Sequence, residues 1–171
     1  MIGEVERLNR VIGQLLEFAR PTTLHPVRGS ITAVLEEVLK MLAGETAARG
    51  IETRMEISPL PEIPFDRDRM KQVFLNLFLN ALEAMSRGGV LTVKAQEGGA
   101  KWVQIEIIDT GHGITANDLE RIFDPYFTTK PSGTGLGLAV VQKIMAAHRG
   151  EIRLESEPGR GTRAVILLPR T

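Results

Sequence analysis

Apolar residues recur at spacings of three and four along several stretches of this chain, the pattern of helices with one buried face. The first stretch ends at Pro21, because the residue before a proline avoids helical dihedral angles. Capping residues and glycines bound the later ones. The predicted helices span residues 4–20, 31–49, Asp66 or Asp68 to about Ser86, and 135–148, with a short helix near 116–122.

Alternation of apolar and polar residues predicts strands between these helices, at residues 51–57, 90–96, 101–109, 151–157 and 162–168. The order of elements predicts an α/β (α+β) two-layer sandwich, a mixed sheet with helices on one face. A Gly- and Thr-rich loop, residues 110–134, is long for a compact domain and is expected to be functional. Residues 22–29 are typical of a linker between a first segment, residues 1–21, and a domain over residues 30–171.

The charge balance is even, since 21 basic and 21 acidic side chains give a formal net charge of zero. Such a chain has no overall attraction for nucleic acid or an anionic membrane, so a local site must bind any phosphate. The lack of cysteine excludes disulfides and thiolate metal sites and fits a reducing compartment. No apolar run approaches the roughly 20 residues of a membrane helix. We expect a cytoplasmic domain without nucleic-acid or membrane contact, with any membrane anchor of the parent protein lying upstream.

A polar stripe runs down the third predicted helix. Asn76, Asn80 and Glu83 share one face at helical spacing, while the positions between them are mostly apolar. A buried amide without a partner costs about 1–3 kcal/mol. The two amides therefore either have structural partners in the core or line a ligand site.

Asp109 follows a strand that is expected to be buried, and Gly111 and Gly113 come directly after it. A carboxylate there can accept a hydrogen bond from the exocyclic amine of adenine, whereas guanine presents an acceptor that it would repel. The glycines would let the backbone approach a flat ring closely. A simple Asp-Gly turn is the alternative interpretation.

A second glycine-rich string, Gly133-Thr134-Gly135-Leu136-Gly137-Leu138, opens the last predicted helix. Glycines at a helix N-terminus leave amide N–H groups free for phosphate, and the helix dipole favours the anion. The spacing fits neither a Walker loop nor a Rossmann fingerprint. The alternative is a flexible hinge before a core helix.

Three aromatic residues stand in the middle of the long loop, within Phe123-Asp-Pro-Tyr126-Phe127-Thr-Thr-Lys130. Apolar rings in a solvated loop need a ligand or a surface to contact. Lys130 would be a cation within reach of a phosphate. The alternative is a loop held to the core by its aromatic side chains.

Taken in order, these segments resemble the catalytic domain of sensor histidine kinases, in the GHKL (Bergerat-fold) superfamily shared with gyrase, a heat-shock chaperone and mismatch-repair ATPases. The resemblance covers about residues 30–168, and the motif sequences are most similar to those of kinases of the nitrogen-regulation type. The matching motifs are the N box (76–85), the first glycine box (109–114), the F box (123–130), the second glycine box (133–138) and a terminal glycine motif (159–162).

The resemblance implies a role for each matching residue. Asn80 is similar to the asparagine that binds Mg²⁺, and Asp109 to the aspartate that reads adenine. Lys130 is similar to a phosphate ligand and, like Asn80 through its metal, could assist transfer. Glu83 stands where many relatives have lysine. The remaining implied nucleotide contacts are Asn76, Gly111, Gly113, Ile114, Gly133, Thr134, Gly135, Leu136, Gly137, Leu138 and Thr162, with residues 110–134 as a long mobile ATP lid.

The first predicted helix, residues 4–20, resembles the second helix of the family's dimerisation and phosphoacceptor hairpin. His25, His112 and His148 do not precede an acidic residue on such a helix, so none is expected to be the phosphoacceptor. His148 is predicted at a helix C-terminus, where a partly cationic ring is favourable.

The resemblance implies an ATP- and Mg²⁺-dependent protein-histidine kinase domain that phosphorylates a histidine outside this segment. The implied partners are the phosphoacceptor domain of the same protein, a response regulator receiver domain and a second copy of the parent. An ATP hydrolase of the same superfamily and a nucleotide-binding regulatory module are the alternatives.

Overall fold

The computed structural model describes residues 23–130 and 133–171. The helix predicted over residues 4–20 lies outside this part of the chain, so the assignment of residues 1–21 stays a prediction. None of the helices in the described part combines the length and the apolar character needed to cross a membrane.

Four helices occur in the described residues, and each lies where the sequence predicted one. Side chains cap the two longest: Ser30 accepts a hydrogen bond from the N–H of Ala33 at 3.3 Å, and Asp66 accepts one from Arg69 at 3.1 Å. The last helix begins two residues later than predicted, because Gly135 has a φ of 68° that a right-handed helix does not contain. The helices are α1 (Ile31–Ala48), α2 (Arg67–Ala84), α3 (Ala116–Leu119) and α4 (Gly137–Ala147).

Five predicted strands form one mixed sheet. These strands are β2 (Ile51–Ile57), β4 (Gly89–Glu97), β5 (Trp102–Asp109), β6 (Glu151–Glu157) and β7 (Gly161–Pro169), and each end agrees with the prediction to within one residue. Their order across the sheet is β2–β4–β5–β7–β6; β2 and β4 run parallel and the other neighbours antiparallel.

Two short strands were not predicted. Strand β1 (Val27–Gly29) lies in the segment expected to be a linker, and β3 (Ile63–Phe65) lies in a loop that contains Pro64. They pair antiparallel, with Val27 opposite Phe65 and Gly29 opposite Ile63. Residues 27–29 of the predicted linker are thus attached to the folded unit by this pairing, while the division of the chain into domains stays a prediction.

The helices cover one face of the large sheet, as predicted. Leu91, Val93, Ile105 and Ile166 point from the strands into the core and are at most 1% exposed. Alternate positions of a strand point to opposite sides, and the positions on the other face of this sheet are mostly polar. There, Glu106 accepts hydrogen bonds from Arg163 at 2.8 and 3.0 Å. The arrangement confirms the two-layer sandwich and leaves the ends of β5 and α2 side by side.

Candidate functional site

The first part of the candidate site lies at the carboxyl end of β5. Asp109 is 6% exposed, and its Oδ1 accepts hydrogen bonds from the N–H groups of Gly111 at 2.8 Å and Thr162 at 3.3 Å. Both bonds use the same oxygen, and no donor of the described residues bonds the other one. Because no buried side-chain oxygen in this part of the chain is left unsatisfied, Oδ2 keeps access to solvent. A fixed carboxylate with one open acceptor suits a ligand that donates an N–H.

Burial raises the pKa of Asp109 above its ordinary value, although the N–H groups of Gly111 and Thr162 and the nearby His112 act in the opposite direction. The ionised Asp109 carboxylate therefore lowers the stability of the folded chain. Such a perturbed acid beside a cleft is typical of a functional site. A ligand N–H donor would offset part of the cost of burying the ionised carboxylate.

The first glycine box turns the chain tightly around this carboxylate. The N–H of His112 donates to Ala84 O at 3.2 Å, which joins the box to the end of α2. Gly113 has a φ of 72°, and a Cβ there would collide with the carbonyl of Glu157. Ile114 is half-buried beyond it. The glycines are thus required by the packing of the box, independently of any ligand.

Ser156 completes this part of the site and was not predicted. Its hydroxyl accepts from the N–H of Ile114 at 2.8 Å, donates to Gly161 O at 2.8 Å and lies 2.9 Å from the hydroxyl of Thr162. It therefore ties the first glycine box to the terminal glycine motif. The only signal in the sequence is its place just before the Pro158-Gly159 turn, which predicts no contact with residue 114.

The second part of the site is the polar stripe of α2. Asn76 and Asn80 are half-buried and Glu83 is exposed. Asn76 donates from Nδ2 to Gln72 O at 3.1 Å, so its amide is partly used within its own helix. The stripe faces the long loop and the start of α4 rather than the core.

Lys130 bridges the long loop to this stripe. Its Nζ donates to Asn80 Oδ1 at 2.9 Å and forms a short ion pair with Glu83. The F box and the N box, predicted separately, thus meet through one ammonium group. The two oxygens that hold this ammonium group, an amide and a carboxylate, are of the kind that a magnesium ion accepts as ligands. In the described residues, no cluster of three or more His, Cys, Asp or Glu side chains forms a metal site by itself.

The second glycine box leads to the third part of the site, the N-terminus of α4. A Cβ at Gly137 would lie 3.2 Å from Asn76 Oδ1, so this helix end faces the polar stripe. Leu136, at the N-cap position, makes no side-chain cap hydrogen bond, and the first N–H groups of a helix have no partner within the helix itself. Leu136 is buried and Leu138 packs against the core, which anchors the box on its apolar side. The arrangement suits an anion.

The F box packs its backbone against the second glycine box. The N–H of Tyr126 donates to Gly135 O at 2.9 Å, and a Cβ at Gly135 would lie 2.7 Å from the nitrogen of Phe127. The Arg121 guanidinium stacks 4.5 Å from the ring of Phe127, whereas Tyr126 is 62% exposed. The two motifs therefore lie side by side, and Gly133 is exposed and Thr134 half-buried at the edge of their contact.

A cavity of about 340 Å³ opens near the same end of the sheet. Asp109 and Thr162 line it, but its other walls include Glu155, Arg160 and Arg163 and none of the polar stripe. It therefore borders the Asp109 part of the site from the outer side and does not reach Lys130 or α4.

Comparison with known proteins gives the family. Residues 65–171, more than half of the chain, match the family described as histidine kinase-, DNA gyrase B- and HSP90-like ATPase. The chain belongs to this family. Sensor histidine kinase ZraS of Klebsiella oxytoca is 45% identical over 170 residues, which cover 99% of this chain and 37% of that protein. The chain thus spans a little over a third of the length of this relative.

Solved structures of this histidine kinase-like ATPase family show the same fold. Full-length ShkA in complex with AMPPNP has a TM-score of 0.87 at 28% identity, over 96% of this chain and 36% of that chain. Histidine kinase ThkA in complex with response regulator TrrA has a TM-score of 0.85 at 26% identity, over 99% of this chain and 49% of that chain. Both similarities extend beyond the matched family region to almost the whole chain.

One histidine has a contact that was not predicted. His148 lies at the C-terminus of α4 as predicted, and it is only 7% exposed; its Nε2 accepts a hydrogen bond from the N–H of Asp66 at 3.0 Å. His25 and His112 are exposed.

Proposed function

We propose that this chain is the ATP-binding catalytic domain of a sensor histidine kinase, which transfers the γ-phosphate of ATP to a histidine on a separate dimerisation domain. The observation that carries the proposal is the buried carboxylate of Asp109, which has one oxygen fixed by backbone N–H groups and the other open. The name of the relative ZraS and the family match both support it.

Asp109 would select adenine. The open oxygen accepts a hydrogen bond from the exocyclic amine of the base, while the carbonyl that guanine places there would face a negative charge. Thr162, whose N–H already holds Asp109, lies next to the base in this proposal. Gly111, Gly113 and Ile114 would border its ring.

The phosphates would lie between α2 and the N-terminus of α4. The N–H groups of residues 137 and 138 would donate to anionic oxygens, and the Lys130 ammonium would move from Glu83 onto a phosphate. Asn80, with Asn76 behind it, supplies an amide oxygen for the metal. Bound Mg²⁺ would neutralise charge on the phosphates. The protein's own contribution is to position the nucleotide and exclude water, which is most of what phosphoryl transfer requires.

A rapid ATP hydrolase of the same superfamily is disfavoured by Asn76. Hydrolysis needs a general base one helical turn before the metal-binding asparagine, and Asn76 there carries a neutral amide. Its Nδ2 donates to Gln72 O, so the amide acts as a donor in its helix. We therefore expect only slow ATP turnover by the isolated chain.

The proposed partners follow from the same assignment. The acceptor histidine would lie on a hairpin whose second helix includes residues 4–20, in the same protein or a second copy of it. A receiver domain would take the phosphate onward; ThkA, a structural relative, forms a complex with the response regulator TrrA. We place this domain in the cytoplasm.

The test is phosphorylation in trans. This chain, labelled ATP with Mg²⁺ and a separately produced phosphoacceptor hairpin of a related kinase are mixed, and acid-labile phosphate on the hairpin is measured. Label on the hairpin supports the proposal. Rapid steady-state release of free phosphate without any labelled hairpin would instead favour the hydrolase.

Asn80→Ala tests the metal assignment. We expect ATP binding to lose its dependence on Mg²⁺, because the variant has no amide oxygen at the metal position. Calorimetric titration with and without Mg²⁺ measures this, and Asn76→Ala serves as the comparison on the same face. If the dependence survives in the Asn80 variant, the metal is held elsewhere.

A further inference from the structure

The N-terminus of α2 and the C-terminus of α4 are joined at a buried junction that the nucleotide site does not include. The N–H of Asp66 donates to His148 Nε2 at 3.0 Å, and both residues are 7% exposed. The Asp66 carboxylate caps α2 through the N–H of Arg69 and also accepts from the N–H of His25 at 2.8 Å. Burial acts to raise the pKa of Asp66, but these two N–H groups and the nearby His148 and Arg69 act together in the opposite direction, so the pKa is lowered.

The histidine side of the junction has a fixed hydrogen-bonding direction. His148 Nδ1 lies 2.9 Å from Ile144 O, which can only accept, so Nδ1 carries the proton and Nε2 is left to accept from Asp66. Replacing His148 by a side chain without an acceptor at that place would leave a buried N–H without a partner. The contact is therefore selective for residue type as well as for shape.

The same two helices meet again at the phosphate-binding end. Asn76 of α2 faces Gly137, the first residue of α4, at the distance given above. From Asp66 to Asn76 the chain advances ten residues along α2, and from Gly137 to His148 it advances eleven along α4. At 1.5 Å per residue these lengths are about 15 and 17 Å, so the two contacts mark matching levels of antiparallel helices.

We propose that Asp66 and His148 are a positioning pair that sets the axial register between α2 and α4, and with it the distance between the Asn76–Asn80 amides and the free N–H groups of α4. The inference rests on the proposed function, since it assigns the pair to the phosphate part of the ATP site. Packing alone permits helices to slide by fractions of a turn, whereas a directional hydrogen bond at one end fixes a single level.

A positioning role can be told apart from a general contribution to stability, because it should leave the adenine part of the site unchanged. The adenine part of the site, around Asp109 and Thr162, is built on the sheet end and is held by β5, β7 and Ser156. A register shift should therefore weaken contacts with the phosphates and spare those with the base. Loss of stability alone would affect ATP and adenosine alike.

The experiment compares His148→Asn with His148→Gln in the full chain. Asn reproduces the Nδ1 donor to Ile144 and lacks the distal acceptor, whereas Gln places an acceptor near the position of Nε2. We expect His148→Asn to bind ATP·Mg²⁺ about fivefold or more weakly, with adenosine affinity changed by less than about twofold. His148→Gln should stay within about twofold of the unmodified chain for both ligands. Ser30→Ala, which removes the cap of α1, should lower the unfolding temperature without changing either affinity.

Two results would overturn the positioning role. One is equal ATP affinity of the Asn and Gln variants; the other is an equal loss of ATP and adenosine affinity in the Asn variant. If the unmodified chain binds neither ligand, the proposed function fails as well, which separates the two outcomes. Should His148→Asn not fold, nitrogen NMR of the unmodified chain decides: an Nε2–H tautomer of His148, or a rapidly exchanging Asp66 amide, would exclude the hydrogen bond.

Discussion

Asp109→Asn separates ligand binding from folding at one position. Asparagine has nearly the same shape as aspartate and keeps an Oδ1 for the N–H groups of Gly111 and Thr162. At the open position it can present an amide nitrogen, which cannot accept from the adenine amine. A hydrogen bond to a charged group is worth about 1.5–3 kcal/mol, so ATP affinity should fall by about 10- to 150-fold.

The same substitution should not destabilise the fold. Because burial raises the pKa of Asp109 above its ordinary value of 3.8, the unfolded chain ionises more readily than the folded one. The stability contribution is then fully present below pH 3.8 and is lost as the pH rises through the raised folded value. At neutral pH the ionised side chain is a liability, and the asparagine variant should unfold at an equal or higher temperature.

Two measurements check this reasoning. Calorimetric titration with ATP·Mg²⁺ gives the affinity, and thermal unfolding without nucleotide at pH 4 and pH 7.5 gives the stability difference. The variant's advantage should be larger at pH 7.5. Unchanged ATP affinity would refute the adenine role, and a variant clearly less stable at neutral pH would refute the account of the buried charge.

Three further changes test other parts of the structure. Glu83→Gln removes one exposed partner of Lys130, so the free energy of unfolding should change by less than about 1 kcal/mol. Calorimetry should show ATP binding that is equal or up to about threefold tighter. Weaker binding would mean that Glu83 helps to hold the metal. Arg163→Gln removes the ion partner of the buried Glu106, whose pKa is lowered chiefly by Arg163. Denaturant unfolding should show that the free energy of unfolding falls by about 1–2 kcal/mol above pH 4.5 and by less at lower pH. The affinity for ATP should stay unchanged. A chain that starts at Ser30 loses β1 and the N–H that bonds Asp66, and should be less stable by about 1–3 kcal/mol than one that starts at Thr23; equal stability would mean that β1 is dispensable.

Much of this architecture could be predicted because the spacing of apolar residues along the chain indicates the helices and strands. The helices and the five strands of the sheet each have a repeating apolar side, and their order allows few arrangements. Strand β1 escaped prediction for a physical reason. Three residues are too few to display a period, and β1 is held by backbone pairing with residues around Pro64, which composition describes as a loop.

Some residues of the candidate site could likewise be predicted from the sequence, and others could not. Asp109, Asn80 and Lys130 could be singled out because their residue types carry chemistry and their motifs have recognisable spacing. Ser156 and His148 could not, because each acts through a partner more than 40 residues away that no local pattern indicates. The contact of His148 depends on the N–H of Asp66, which only the folded chain brings to it.

The ion pair between Lys130 and Glu83 has a consequence for hybrid proteins. Where many relatives are expected to carry a base on the helix, this chain carries an acid there and supplies the base from the opposite loop. A graft that replaced the loop by one without a base at position 130 would leave Glu83 without its cation at this part of the candidate site. Functional chimaeras should therefore inherit positions 83 and 130 as a matched set from one parent.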